Sequence, residues 1–171
     1  KETNPDAMIV AGNSLASSIP KLLLERTKAD IAILGEGDIT IVELLKAIGN
    51  KEDLSTVLGI AYRENNRIIY TKSRTAENDI NAFGFPDWDI FDLSEYNKYT
   101  ISQDEETGET SLAYPLNSAR GCPYSCTFCY HAFKGQNYRK YSIESVKREI
   151  ERLHYEYGAK KIMFWDELTF T

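Results

Sequence analysis

The sequence predicts an α/β fold, and three observations carry that prediction. Between Ala7 and Gly49, short apolar runs end in glycine turns and lead into helical periodicity, twice over. Between Ser111 and Trp165 the chain reads strand, helix, strand. The stretch between these two patterns keeps no sustained period. We therefore expect three segments: 1–72 as a partial Rossmann-like unit, 73–110 as a linker, and 111–171 as a second βαβ unit.

The first unit opens with Ala7-Met-Ile-Val-Ala11, an apolar run that predicts a buried strand. Gly12-Asn13-Ser14 predicts a loop. Ser17-Ser18-Ile19-Pro20 predicts the start of a helix, with Pro20 in the first turn, where its missing N–H costs nothing. Asp30-Ile-Ala-Ile-Leu34 predicts a second strand, running into Gly35-Glu36-Gly37. A helix is expected from Thr40, with Glu43 completing a capping box, Leu44, Leu45 and Ile48 on its buried face, and Gly49 as its left-handed end. Both glycine loops fall at carboxyl ends of strands, where open α/β sheets bind ligands. Glycine there lets a flat ligand approach the backbone, although each glycine could equally serve only its turn. Gly59–Arg63 and Arg67–Tyr70 predict a hairpin through Asn65-Asn66, since Asn tolerates the left-handed conformations of tight turns.

In the linker, Phe83, Phe85, Trp88, Ile90 and Phe91 predict an ordered segment, because so much apolar surface is costly to leave in water. Gln103 to Glu109 is acidic and predicts a solvated hairpin tip rather than a metal site. Ser111–Ala119 predicts a strand, with Pro115 pointing to an edge position or a late start. Ser142 is expected to cap a helix bearing Ile143, Val146, Ile150 and Leu153 on one face and stopping at Gly158. Lys161–Trp165 is the next strand, with Asp166 and Glu167 at its carboxyl end.

The chemistry concentrates in Cys122-Pro-Tyr-Ser-Cys126-Thr-Phe-Cys129, which holds all 3 cysteines of the 171 residues. Thiolates are soft ligands, and a tight loop of them suits one metal centre. An odd number without a partner elsewhere argues against a disulfide. Structural zinc takes four ligands, so a zinc site would need His131 as the fourth. A simple iron–sulfur electron carrier would use four cysteines. Three thiolates on a four-iron cluster leave one iron open to a ligand.

The spacing C-x3-C-x2-C, with Phe128 before the third cysteine and Ala119-Arg120-Gly121 leading in, resembles the radical S-adenosylmethionine (radical SAM) superfamily. The resemblance implies that Cys122, Cys126 and Cys129 hold a 4Fe–4S cluster and that Phe128 lies beside the SAM adenine. It implies that one electron from the cluster cleaves SAM to methionine and a 5′-deoxyadenosyl radical, which takes hydrogen from substrate. The family often places Gly-Gly-Glu at the end of the second strand to receive the SAM amino group; this chain has no Gly-Gly there. Trp165-Asp166-Glu167-Leu-Thr-Phe-Thr171 instead resembles the ending found in cobalamin-dependent members, which implies a SAM role for Asp166 or Glu167. Arg120 and Arg139 are candidates for facing the cofactor carboxylate or for ordinary contacts.

The upstream units resemble the second half of the cobalamin-binding domain of that class. The resemblance implies that Gly12, Asn13, Ser14 and Gly35, Glu36, Gly37 lie along the corrinoid. The last segment resembles the start of a partial (β/α)6 TIM barrel, and the chain reads as a fragment cut at both ends. What is implied is an enzyme, with methylation of an unactivated carbon or related radical chemistry as its reaction. The substrate would be a small or lipid-like molecule, and flavodoxin or ferredoxin would donate electrons. A cobalamin-independent radical SAM enzyme, and a zinc or iron–sulfur structural or electron-transfer module, remain as alternatives. A methylthiotransferase is disfavoured, because three further cysteines are missing from the amino-terminal part.

Composition fits this reading. The net charge of −6 argues against general nucleic-acid binding. No apolar run reaches the length of a membrane span. Free, clustered cysteines suit a reducing cytoplasm.

Overall fold

The structure, a computed structural model, describes residues 3–98, 101–103, 108, 110–130 and 137–169. The chain divides into two compact units, one of Lys1–Ala76 with Ser125–Gln136, the other of Glu77–Tyr124 with Asn137–Thr171.

The first unit is built on a four-stranded sheet. Strand β1 (Val10–Ala11) pairs in parallel with β2 (Ile31–Ile33), in the register Val10 to Ile31 and Ala11 to Ala32. Asp30 fixes that register, since its carboxylate accepts the Ile9 N–H at 2.8 Å. Two short helices connect the strands, α1 (Asn13–Ser18) and α2 (Pro20–Arg26), with Pro20 in the first turn of α2 as expected. The expected loop at Gly12-Asn13-Ser14 is thus corrected at its end: Asn13, at φ 71°, turns the chain straight into α1.

Helix α3 (Asp38–Asn50) follows β2. The expected capping box is absent, for a tertiary reason. The Thr40 hydroxyl is buried, donates to the Leu58 carbonyl at 3.3 Å and accepts the Arg74 Nε–H at 2.8 Å. Glu43 pairs with the Arg74 guanidinium instead of reaching back to the helix start. The helix also runs through Gly49. It ends in a left-handed Lys51 (φ 58°), with Glu52 N–H bonded to Ala47 O and Lys51 N–H to Ile48 O, the paired closure of a Schellman motif. Of the three expected face residues, Leu44 is buried and Ile48 partly so, whereas Leu45 is exposed.

The hairpin forms as expected from β3 (Ile60–Glu64) and β4 (Arg67–Tyr70), with Asn65 and Asn66 at φ 47° and 61°. It adds antiparallel to β2, giving the strand order β1-β2-β3-β4. Gly59 precedes it at φ 75°, where an added Cβ would press on the Leu34 carbonyl and the Arg74 side chain at 3.3 Å. The sheet buries two apolar layers, Ile31, Ile33, Leu44, Ile60 and Tyr62 on one face and Ala16, Leu24, Ala32 and Ala61 on the other.

In the second unit, 3-10 turns at Ile80–Phe83 and Trp88–Ile90 precede a one-turn helix α4 (Leu93–Tyr96). Asp79, Asp87 and Asp92 each accept a backbone N–H two residues on, which starts each turn. Trp88 meets Tyr114 edge-on at 5.4 Å and Phe85 stacks on Tyr141 at 4.5 Å, whereas Ile90 and Phe91, expected to be covered with them, are exposed.

Strand β5 (Ile101–Gln103) pairs antiparallel with β6 (Thr110–Leu116), and β6 pairs in parallel with β9 (Lys161–Phe164). The acidic tip at 104–107 lies outside the described residues. Pro115 is accommodated by register. Leu112 and Leu116 turn their carbonyls to β9, so the alternate residues Ala113 and Pro115 face away from it. On that side β5 reaches no further than Leu112, and no N–H is required.

A small ladder joins β7 (Ala119–Arg120) to β8 (Arg139–Lys140). Helix α5 (Ile143–Tyr155) starts where expected, the Ser142 hydroxyl accepting the Ser145 N–H at 3.1 Å. It packs Val146, Ile150 and Leu153 against Tyr114 and Leu116, while Ile143, expected on that face, is exposed at the first turn.

Candidate functional site

Three sets of expected residues are arranged by these elements. The first is the cysteine segment. It leaves β7 at Arg120, and the chain returns in β8, so the β7–β8 ladder closes the base of the excursion that carries the cysteines. Arg120 lies over the Phe83 ring at 4.9 Å. Arg139 is buried and donates to the Glu77 carbonyl at 2.7 Å and the Asn137 carbonyl at 3.1 Å, so its role here is an ordinary tertiary contact.

All three cysteines are free thiols, Cys122 half-buried and Cys126 and Cys129 exposed. Cys126 and Cys129 sit in one turn closed by the Cys129 N–H to Cys126 carbonyl bond of 3.1 Å. Phe128, between them, is 91% exposed. Among the described residues, no three Cys, His, Asp or Glu side chains are gathered to hold a metal ion. His131 lies outside the described residues. The donor set is nonetheless chemically apt: three soft ligands, none consumed in a disulfide.

The second set is Asp166 and Glu167, just past β9. The structure gives them different surroundings. The Asp166 carboxylate accepts the Ser118 N–H at 2.7 Å, the Ser118 hydroxyl at 2.6 Å and the Ala119 N–H at 3.0 Å. It therefore holds the turn between β6 and β7, immediately ahead of Gly121-Cys122. Glu167 is exposed and has no hydrogen-bond partner among the described residues.

Two further contacts come from residues the sequence reading passed over. Asn117 Nδ2 donates to the Trp165 carbonyl at 2.7 Å, and the Tyr138 hydroxyl donates to the Leu168 carbonyl at 3.0 Å. Both ends of the cysteine excursion are thus tied to the stretch 165–168. The polar pair Asn117-Ser118, ending an apolar strand, was the available signal.

The third set is the pair of glycine loops. Because β1 and β2 are adjacent and parallel, Gly12-Asn13-Ser14 and Gly35-Glu36-Gly37 emerge at the same end of the sheet. Gly35 has φ 78°, and its N–H donates to the Ser17 hydroxyl at 2.9 Å. Gly37 ends the second loop at the start of α3. A Cβ added at Gly12 or Gly35 would meet nothing within 4 Å among the described residues, so no close neighbour demands glycine at either position.

The family model of the radical SAM superfamily matches residues 116–167. An uncharacterized methyltransferase of Pyrococcus horikoshii is 29% identical over all of this chain and 35% of its own length. An anaerobic magnesium-protoporphyrin IX monomethyl ester cyclase of Synechocystis is 27% identical over 98% of this chain and 32% of its own length. The chain therefore spans about a third of the curated relatives it matches. Among solved structures, the cobalamin-dependent radical SAM enzyme OxsB, with aqua-cobalamin and SAM bound, superposes on 94% of this chain and 21% of its own. The TM-score is 0.72 at 28% identity.

Proposed function

We propose, from the match of residues 116–167 to the radical SAM superfamily, that this chain is part of a cobalamin-dependent radical SAM enzyme. The observation that carries the reading is the run of three free thiols on an excursion whose two ends are tied to the residues after β9. Cys122, Cys126 and Cys129 are the proposed ligands of a 4Fe–4S cluster. When bound, that cluster supplies the electron that splits SAM into methionine and a 5′-deoxyadenosyl radical.

The proposed work of the protein residues is binding and orientation. Phe128 offers its bare ring to the adenine, where stacking removes both faces from water. Glu167, exposed and without a hydrogen-bond partner among the described residues, takes the SAM amino group. Asp166 acts one step back, fixing Ser118 and Ala119 so that Cys122 leaves β7 in a set direction. Gly12, Asn13, Ser14, Gly35, Glu36 and Gly37 form the floor for cobalamin, and the emergence of both loops at one end of the sheet supports that assignment.

The proposed reaction is methylation of an unactivated carbon or related radical chemistry on a small or lipid-like molecule. A small redox protein such as flavodoxin or ferredoxin donates the electrons. The reducing cytoplasm is the compartment in which these thiols stay free. No helix among the described residues is long and apolar enough to cross a membrane.

The test is anaerobic reconstitution of the full-length protein with iron and sulfide. About four irons per chain are expected, falling sharply when Cys122, Cys126 or Cys129 is changed to Ala. One zinc held in place of iron would replace this reading with a structural metal site.

A further inference from the structure

The cysteine segment carries a second device that the ligand assignment does not use. Tyr130 directly follows Cys129, and its side chain is bonded at its tip. The hydroxyl pairs with the Ser18 hydroxyl and also reaches the Ser14 carbonyl at 3.4 Å. These partners lie 112 and 116 positions away in sequence, on α1. The same six-residue helix holds a glycine loop by its other serine, since Ser17 accepts the Gly35 N–H at 2.9 Å. Helix α1 therefore meets the cysteine segment through Ser14 and Ser18 and the Gly35 loop through Ser17. The Tyr130 ring is largely exposed, so packing is not what holds it; its hydroxyl is.

From this we infer that Tyr130 is a positioning residue, which seats the cysteine segment on α1 and so fixes it relative to the Gly35 loop. The inference rests on the proposed function for its purpose, because Cys126, Cys129 and the proposed corrinoid loops lie in one unit and must be held at set places there. Its physical basis does not need either cofactor. A hydrogen bond closing a loop between residues so distant in sequence restricts the segment, and removing it frees Cys126 to Tyr130 to fluctuate. A hydroxyl bond of ordinary strength is worth about a fivefold change in that local opening. Because Ser18 acts on the segment only through Tyr130, losing both should cost no more than losing the Tyr130 hydroxyl alone.

The experiment compares wild type, Tyr130→Phe, Ser18→Ala and the double variant in the full-length protein, in two arms. Hydrogen exchange of residues 125–130 in the metal-free protein should quicken about fivefold in Tyr130→Phe, by no more than that in Ser18→Ala, and no further in the double variant than in Tyr130→Phe. Melting temperatures should hardly move, since no buried surface is lost. In the iron-loaded protein, Tyr130→Phe should keep its iron yet broaden the electron paramagnetic resonance of the reduced cluster. Unchanged exchange overturns the inference, and so does faster exchange with an unaltered resonance. If wild type takes up no iron, the proposed function fails, and the exchange arm alone decides whether the seat exists.

Discussion

Asp166 and Ser118, 48 residues apart, are joined twice: one carboxylate oxygen accepts the Ser118 N–H at 2.7 Å, and the other accepts its hydroxyl at 2.6 Å. With the Ala119 N–H added, one acidic side chain closes the corner from which the cysteine segment departs. Its neighbour Glu167 is exposed and makes no hydrogen bond among the described residues.

Asp166→Ala should lower stability by about 2 kcal/mol, since it strands bonds made to a charged group. Glu167→Gln should leave stability unchanged and weaken SAM binding. Urea unfolding and a SAM titration on both variants check the contrast. Equal effects of the two variants on SAM binding would remove the distinction.

Helix α3 offers a second test. Gly49 lies inside the helix, with open space where a Cβ would stand, and Lys51 takes the left-handed position beyond it. Gly49→Ala should raise stability by about 0.5–1 kcal/mol, because it restricts the unfolded chain without meeting an obstacle. Lys51→Gly should also stabilise, by relieving the left-handed backbone. Thermal melts of the two variants and their combination read both.

These two cases show what the sequence carried and what it did not. The Asn65-Asn66 turn and the Ser142 cap were legible because their partners lie within a few residues. Thr40 was misread because its partners, Leu58 and Arg74, are 18 and 34 residues on, and a buried hydroxyl serves them before it serves a helix end. Gly49 looked like a stop because glycine often is one, yet Ala47 and Ile48 find their partners beyond it. The cysteine motif was legible as chemistry. Its anchors at Ser118, Tyr130 and Tyr138 were not, since a lone hydroxyl has no signature without its distant acceptor or donor.

Glu149 gives a pH-dependent prediction. It is buried on α5, and its Oε1 has no hydrogen-bond partner among the described residues. Burial raises its pKa above the ordinary 4.5, although Arg152 at 3.6 Å and the nearby Trp88 indole N–H pull the other way. A raised carboxyl means that the folded state keeps its proton longer than the unfolded state. The stability from this group is therefore full below about pH 4.5 and is lost as pH rises through the folded value. Glu149→Gln should flatten that decline while leaving Arg152 its contacts to Glu156 and Asp87. Urea midpoints measured from about pH 4 to pH 7 test this, and an unchanged slope would refute it.

The central claim is that Cys122, Cys126 and Cys129 support reductive cleavage of SAM, and product analysis tests it most directly. The full-length protein, reconstituted without oxygen, is incubated with dithionite and SAM, and 5′-deoxyadenosine is measured beside Cys126→Ala. The account predicts 5′-deoxyadenosine from wild type and none from the variant. Iron-loaded wild type that yields no 5′-deoxyadenosine, or a variant that yields as much, would contradict it.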